Sequence, residues 1–329
     1  MKKGLIFLAF ILQTGFVLAQ QEAHYTQFMY NKQSLNPGFA GARRVTSLMA
    51  LYRNQWMGFN GNPTSYHVGI EGPFFSERLG ASLQVGNQSE GVIRRLYGNI
   101  AFSYDILHTE EMSLRVGLSG AMRSYKFDLS NPDIYIKDRQ DASLPTANVS
   151  EQLLGNIGTG VYFDYKEYYV GFSVPNLYRN YISLNTNPAA TTTAQEQRHL
   201  YFMAGALFPL VGESIQLKPA IMAKYVQNAP FSLDMNLSVM FNKKFTTGLS
   251  YRYGQSGGFG DSIDFLAFAQ ATDRLGIGFA YDFTVSGLRG TSKGSVEALV
   301  RYDLGSKDRT AKSAADRDRN KMSNPRYFF

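Results

Sequence analysis

The sequence predicts an all-β fold, a transmembrane antiparallel β-barrel of about 14 strands. Three observations support this prediction: a recurrent alternation of apolar and polar residues, a composition rich in glycine and aromatic residues, and an export signal at the start. The clearest alternation runs from Phe231 to Phe241, where Phe, Leu, Met and Val occupy every second position. Side chains on a strand alternate between its two faces, so this segment has one apolar face and one mostly polar face.

Repetition distinguishes a membrane barrel from a soluble antiparallel sheet, because a single amphipathic strand fits both. The alternation recurs in fourteen segments, and an even number of strands is typical of bacterial outer-membrane barrels. Together they predict a barrel over residues 45–305. The predicted strands are Val45–Arg53, Thr64–Gly72, Arg78–Asn87, Ile93–Leu107, Met112–Phe127, Leu154–Tyr165, Tyr168–Val174, Arg198–Phe208, Ser214–Gln227, Phe231–Phe241, Phe245–Gly254, Ser262–Thr272, Leu275–Val285 and Gly294–Leu304.

The composition is consistent with such a barrel. The 329 residues include 31 Gly, 24 Phe and 21 Tyr, while only 18% are charged. There is no cysteine, so disulfides and thiolate metal sites are excluded. The formal charge of +7 does not predict nucleic-acid binding, because most of it lies at the two ends of the chain.

Residues 1–19 have the features of a cleaved export signal. Lys2 and Lys3 precede an apolar run from Leu5 to Leu18, and Ala19 completes the small-residue pattern that signal peptidases cut. The run is short for a transmembrane helix, and a closed barrel needs no such helix. We therefore expect a mature protein that begins at Gln20 and resides in the outer membrane.

The segments outside the predicted strands have distinct roles. Residues 20–44 lack alternation and are predicted to plug or line the lumen. Short turns alternate with longer links, as periplasmic turns and outer loops do in this class. An even strand count returns both barrel ends to the periplasm, so the basic tail 306–329 is predicted there. The longer links are Asp128–Leu153, Asn176–Gln197, Gly254–Asp261 and Ser286–Lys293, and Asn228–Pro230 is the short exception on that side.

The sequence predicts no catalytic, cofactor-binding or metal-binding site. Its four histidines are scattered without metal-ligand spacing or an obvious carboxylate partner. Inward-facing charges of both signs are instead predicted to pair across a filled lumen. These charges are Asp105, Arg115, Asp164, Lys218, Lys224, Asp234, Arg252, Asp282, Glu297 and Arg301.

Several sequence blocks carry a family resemblance. They are Gln27–Asn31, Leu35–Gly41, Tyr52–Pro63, Val170–Leu177, Lys218–Ala220, Tyr281–Phe283 and the terminal Asn324–Phe329. In this order they resemble the PorP/SprF family of outer-membrane proteins of the Bacteroidota type IX secretion system. A further block is Gly294–Glu297, and one departure lies at its third position, Val296, where many relatives have His. The family-motif positions, structural or partner-binding, are Asn36, Pro37, Arg53, Asn54, Gln55, Trp56, Pro175, Asn176 and Leu177.

The resemblance implies a non-catalytic barrel that anchors a type IX surface protein or assists its secretion. The expected cargo is an adhesin-like protein with a C-terminal sorting domain, as used in gliding motility. Two alternatives stay open. One is a core secretion component that links the outer membrane to periplasmic lipoprotein, ring components and peptidoglycan. The other is a general diffusion porin. The predicted surroundings include outer-membrane lipid but no nucleic acid.

Candidate contact residues follow from the links and the tail. Apolar groups in long loops suit a protein interface, and the alternative is that the loops fold over the barrel mouth as a lid. The block Arg53–Trp56 either binds a partner or forms a clamp in which the guanidinium covers the indole. The candidate cargo contacts are Tyr135, Ile136, Leu144, Tyr178 and Tyr181, and the candidate periplasmic contacts are Pro325, Arg326 and Tyr327.

Overall fold

The computed structural model describes residues 24–58, 60–109, 111–128, 149–183, 193–212, 214–254 and 260–304. Short 3-10 turns cover Lys32–Ser34, Pro37–Phe39 and Gly287–Gly290. The strands are β1 Ser47–Asn54, β2 Thr64–Phe74, β3 Ser76–Glu90, β4 Ile93–Asp105, β5 Met112–Asp128, β6 Val149–Tyr165, β7 Tyr168–Val174, β8 Tyr181–Ser183, β9 Thr193–Gln195, β10 His199–Ala206, β11 Phe208–Val211, β12 Ile215–Val226, β13 Ser232–Phe241, β14 Phe245–Tyr253, β15 Ser262–Gln270, β16 Leu275–Thr284 and β17 Ser295–Asp303.

The sheet closes where the first strand, β1, pairs with the last strand, β17. In this closing seam Arg53 lies opposite Glu297, and Ser47 lies opposite Asp303. The other strands follow chain order, except that β8 and β9 form a separate hairpin and β7 pairs directly with β10. Since β10 and β11 together form one wall segment, the closed barrel has 14 strands, as the sequence predicts.

The two faces of the wall have opposite chemistry. On β5, Val116 and Leu118 are 39% and 66% exposed, whereas Arg115 and Ser119 are buried. On the other strands the same alternation places apolar side chains outside and mostly small, polar or charged ones inside, apart from a buried apolar cluster in the lumen. Nine of the ten charges predicted to face the lumen are buried, and Lys218 is half-buried. No described helix is long and apolar enough to cross a membrane.

The two ends of the barrel differ in their connections. We call one the short-turn end: it carries the β2–β3, β4–β5, β6–β7, β11–β12, β13–β14 and β15–β16 turns, the start of β1 and the end of β17. The opposite, long-loop end carries the remaining links. The prediction of a single short link there is wrong, because β3 extends to Glu90 and leaves only Gly91 and Val92 before β4. Gly91 has a φ of 56°, which suits glycine in so tight a turn.

The wall is not equally tall around the barrel. Strands β5 and β6 have 17 residues each, whereas β13 to β17 have 9 or 10. About 9–11 residues suffice to cross a bilayer, so β3–β6 form a tall wall that extends beyond it at the long-loop end. The predicted link Asp128–Leu153 is therefore partly wrong: β5 includes Asp128 and β6 begins at Val149. Above the bilayer the outer face turns polar, as at Ser124 and Lys126, so apolar alternation cannot mark the strand there.

An N-terminal segment, residues 24–46, lies inside the barrel. It starts near the long-loop end, where the Lys224 ammonium lies 2.8 Å from Nε2 of His24. It then runs down the lumen and enters β1 at the short-turn end. Its carbonyls accept hydrogen bonds from the wall, including Ser173 Oγ to Leu35 O at 2.7 Å. Since almost all its side chains are buried, the segment occupies the interior of the sheet.

The main apolar core lies in the lumen. The ring of Tyr30 stacks on Phe268 of β15, with centroids 4.4 Å apart. Phe39 meets Tyr162 of β6 edge-on at 5.2 Å. These rings join a single cluster of buried residues from the segment and both sides of the wall. The segment is thus packed against the wall like the core of a soluble domain.

Candidate functional site

The first part of the candidate site is a buried ionic cluster at the long-loop end of the closing seam. Arg53 of β1 pairs with Asp282 at 2.6 Å and with Glu297 at 3.0 Å. Its Nη1 also donates to Oγ1 of Thr26, in the N-terminal segment, at 3.0 Å. The two oxygens of Glu297 accept the backbone N–H groups of Thr26 and Gln27, each at 2.9 Å. This cluster therefore joins the segment to the first strand and to the last two strands.

A second guanidinium extends the same cluster. Arg252 of β14 pairs with Asp234 at 2.6 Å, and it lies 3.6 Å from Asp282 and 3.9 Å from Asp264. All four side chains are at most 5% exposed. Buried charges persist only when they are paired and hydrogen-bonded, so the carboxylates and guanidinium groups of this wall depend on one another. The guanidinium groups and carboxylates neutralise one another. The cluster therefore does not line the lumen with charges of a single sign, which ion selection would need.

A third ionic contact ties the segment at the opposite, short-turn end of the seam. Arg43 pairs with Asp303 of β17 at 3.0 Å, and both side chains are at most 4% exposed. Ser47 of β1 donates to the same carboxylate at 2.7 Å. On the neighbouring strand β2, Glu71 lies opposite Ser47 and accepts the N–H of Gly41 at 2.9 Å. The segment is thus held at both ends of the seam.

The family-motif residues Asn36 and Pro37 lie on the other side of the lumen, against β5–β7. Oδ1 of Asn36 accepts the N–H of Gly38 at 2.8 Å, which caps the turn Pro37–Phe39. Its Nδ2 donates to the carbonyl of Val161 at 3.0 Å. The wall approaches so closely that a Cβ at Gly117 would lie 2.3 Å from the Pro37 carbonyl carbon. These motif residues therefore hold the segment against the wall.

The remaining residues of the Arg53–Trp56 block shape the β1–β2 link. Asn62 donates to the Asn54 side chain, and to the Gln55 carbonyl at 2.9 Å. Trp56 has a φ of 51°, and its N–H donates to Ser295 Oγ at 3.1 Å. Within the described residues, no cation–π contact joins the Trp56 indole to Arg53, whose guanidinium points into the ionic cluster. The geometry therefore differs from the stacked clamp considered for the block.

The block Pro175–Leu177 contacts the tall wall at the long-loop end. Asn176 accepts a hydrogen bond from Arg123 of β5, and Leu177 donates its N–H to the Ile157 carbonyl at 2.8 Å. Pro175 also lines a polar cavity of about 40 Å³ above the N-terminal segment, together with Leu35. A space of this size holds a few water molecules. The motif blocks Leu35–Gly41 and Val170–Leu177 thus meet at the floor of the barrel mouth.

A network that the sequence analysis missed surrounds Glu196. This carboxylate accepts from the hydroxyl of Tyr125 at 2.7 Å, from Nδ2 of Asn180 at 2.8 Å and from Arg123 at 3.3 Å. Together with Ile182, which is fully buried against Tyr125, it fastens the β8–β9 hairpin to the tall wall. No local pattern marks Glu196, since it sits in a polar link whose partners are far away in sequence.

The predicted cargo contacts differ in what the structure describes. Tyr178 and Tyr181 are 58% and 65% exposed on the link around the hairpin. The candidates Tyr135, Ile136 and Leu144 lie outside the described residues, as do Pro325, Arg326 and Tyr327. Thus two of the candidates are exposed aromatic side chains at the long-loop end.

The described residues contain no cluster of three or more His, Cys, Asp or Glu side chains suited to a metal ion. His199 of β10 is buried, and its Nδ1 lies 2.9 Å from the Gln197 carbonyl. Guanidinium groups engage Asp234 and Asp282, and Glu297 binds both a guanidinium and backbone N–H groups. The arrangement is suited to holding a peptide segment in place.

The fold and its interior define a class: a membrane β-barrel of the outer-membrane type, with part of its own chain inside the lumen. Residues 17–302 match the family described as type IX secretion system membrane protein PorP/SprF, and the chain belongs to that family. This confirms the family resemblance drawn from the motif blocks.

Comparison with solved structures gives distant similarities. The outer membrane protein Omp33 of Acinetobacter baumannii has 6% identity and a TM-score of 0.45, covering 79% of this chain and 98% of that one. The CymD monoaromatic hydrocarbon channel has 12% identity and a TM-score of 0.47, covering 85% and 92%. The TodX deltaS2S3 mutant monoaromatic hydrocarbon channel has 11% identity and a TM-score of 0.46, covering 82% and 92%. No curated protein matches the chain significantly.

Proposed function

We propose that this protein is a closed, non-catalytic outer-membrane barrel that anchors a type IX surface protein or assists its secretion. The cargo class is an adhesin-like protein with a C-terminal sorting domain. Membership of the PorP/SprF family supports the secretion role. The long-loop end would face the outside and the short-turn end the periplasm, as in other barrels of this class.

The occupied lumen is the observation that carries the proposal. A diffusion porin needs a continuous aqueous passage, whereas here the N-terminal segment packs its rings against the wall and is tied at both ends of the seam. A role without solute flux is therefore favoured. Planar-bilayer recordings of the purified barrel should show no stable porin-like conductance. A large, steady open state would favour the porin alternative.

The link around the β8–β9 hairpin offers the contact surface. Tyr178 and Tyr181 are exposed, while Ile182 beside them is buried and Glu196 is bound to the wall. The tyrosines are therefore presented on an anchored platform. Aromatic side chains bury large areas at low entropic cost, which suits a protein interface.

Point substitutions test this surface better than removal of the link 176–197. That deletion would also remove Asn176 and Glu196, whose contacts with Arg123 belong to the wall. The combined Tyr178→Ser and Tyr181→Ser variant should insert normally but release its cargo into the medium or leave it in the periplasm. Mild-detergent purification with mass spectrometry identifies the cargo in the parent strain.

The matched control is Phe75→Ser, which removes a 94% exposed aromatic ring at the short-turn end. This variant should keep the cargo at the surface. If the cargo stays attached in the double tyrosine variant and in a full deletion strain, the anchoring proposal is wrong.

The core-component alternative depends on the basic tail, which lies outside the described residues. Because β17 ends at the short-turn end, the proposed orientation assigns residues 306–329 to the periplasm. There, Pro325, Arg326 and Tyr327 would contact a lipoprotein or ring component. A chain truncated after Leu304 should then lose co-purifying periplasmic components, while a pure cargo anchor would lose none.

A further inference from the structure

We propose that Arg53 is the positioning residue that holds the N-terminal segment across the closing seam and keeps the lumen closed to ions. This role goes beyond the proposed attachment of cargo and does not depend on it. It also assigns a physical task to the charged residue of the Arg53–Trp56 block.

Arg53 is the point at which four parts of the chain meet. Its own strand is β1, and its guanidinium reaches β16 through Asp282, β17 through Glu297 and the segment through Thr26. Thr26 in turn donates its hydroxyl proton to Asp282 at 2.7 Å. Both carboxylates that receive the guanidinium thus also bind the segment. The contact with the segment and the closure of the seam are therefore coupled.

The chemistry requires arginine at this position. The guanidinium is planar and has five donors, so it serves a hydroxyl and two carboxylates at once, which an ammonium cannot do with the same geometry. Arg53 is 1% exposed, and Glu297 is fully buried. Without the guanidinium, Asp282 and Glu297 would face each other and Thr26 with one cation fewer. Their repulsion would weaken the grip on the segment.

The ionic cluster binds the N-terminal segment far from the point where the segment is covalently attached to the barrel. The segment is covalently attached at β1, and Arg43 ties that same end to Asp303. The cluster at Thr26 instead ties the far end, near the long-loop mouth. If that tie is weakened, the far end is held less firmly, by the His24–Lys224 contact, the Arg252–Thr26 hydrogen bond at 3.4 Å and the packing of Tyr25 and Phe28.

The chain has no native cysteine, so a single thiol reports the position of the segment. Met29 lies three residues after Thr26 and is 7% exposed. In a Met29→Cys background, a membrane-impermeant maleimide should react slowly in the folded barrel. Adding Arg53→Gln should raise the labelling rate about tenfold to hundredfold, since the charge-assisted hydrogen bond to Thr26 is lost. The same variant should show ion conductance in planar bilayers.

Arg115→Gln is the matched control. Arg115 is equally buried and lies 3.5 Å from Asp105, but it donates to the Glu77 carbonyl, on the wall, at 2.7 Å. This control should leave labelling and conductance unchanged. Gel mobility before and after boiling shows whether each variant is folded.

Thr26→Val keeps the test decisive if Arg53→Gln fails to fold. It removes the hydroxyl that accepts from Arg53 and Arg252 and donates to Asp282, but leaves every wall charge in place. We expect about a tenfold faster labelling from Thr26→Val alone, and a smaller further increase when it is added to Arg53→Gln, because the hydroxyl then still meets Asp282 and Arg252. Unchanged labelling in folded Thr26→Val, or an equal increase in Arg115→Gln, would overturn the inference. Surface attachment of cargo is scored separately, so that proposal stands or falls on its own.

Discussion

Two glycines on β5 provide a stringent test of how closely the N-terminal segment packs against the wall. Gly117 faces the lumen, and an added Cβ would lie 2.3 Å from the Pro37 carbonyl carbon and 2.4 Å from the Gly38 nitrogen. Gly120, three residues further on, has no atom within 4 Å of an added Cβ. The same substitution at the two positions therefore separates contact with the segment from any general effect on the strand.

The expected energies have opposite signs. An alanine at position 117 must displace backbone by roughly 1 Å to regain normal van der Waals separation, and overpacking of this kind costs about 1–3 kcal/mol. At position 120 alanine restricts the unfolded chain and supports the strand, which stabilises by about 0.5–1 kcal/mol. Because alanine restricts the unfolded chain equally at both positions, Gly117→Ala should be about 1–3 kcal/mol less stable than Gly120→Ala.

Guanidinium titration in detergent measures this difference. Gel mobility without boiling reports the folded fraction, and the emission of the single tryptophan, Trp56, gives an independent signal. Equal midpoints, or a higher midpoint for Gly117→Ala, would show that the segment is not packed against β5 and would refute the reasoning.

Three further predictions follow from the ends of the chain and the seam. Arg43→Ala should lower the free energy of unfolding by about 3–5 kcal/mol, because it removes the guanidinium that pairs with the buried Asp303 carboxylate; a loss under 1 kcal/mol would contradict this. Mass spectrometry of the purified protein should find a mature N-terminus at Gln20, and an intact Met1 would exclude cleavage. An epitope placed after Phe329 should stay unlabelled on intact cells and become accessible after permeabilisation, whereas labelling of intact cells would reverse the orientation.

The barrel could be predicted from the sequence because its signal is local. A lipid-facing wall must be apolar at every second residue, so segments such as Phe231–Phe241 carry the pattern in their own composition. Inward charges such as Asp282 and Glu297 could be assigned by the same parity. Where the wall extends beyond the bilayer, its outer face is polar, as at Ser124 and Lys126, and the start of β6 at Val149 has no such mark.

The arrangement inside the lumen could not be predicted in the same way. Thr26 meets Asp282 across 256 residues, and Tyr125 meets Glu196 across 71. Such contacts depend on how the barrel closes and on the path of an irregular segment. Neither of these can be read from the alternation of apolar and polar residues. The sequence blocks marked Asn36, Arg53 and Asn176 as noteworthy, but their partners emerge only from the folded chain.

The unequal height of the wall gives the barrel a front and a back. Strands of 17 residues on one side and 9 or 10 on the other differ by roughly 15–20 Å in height, once strand tilt is allowed for. A large protein bound at the long-loop end would contact the tall wall of β3–β6 on one side, whereas no wall of that height stands above β13–β17 on the other. The force on such a protein would act off the barrel axis. A pull in the membrane plane would therefore rotate the barrel about its axis until the tall wall lies along the direction of the pull.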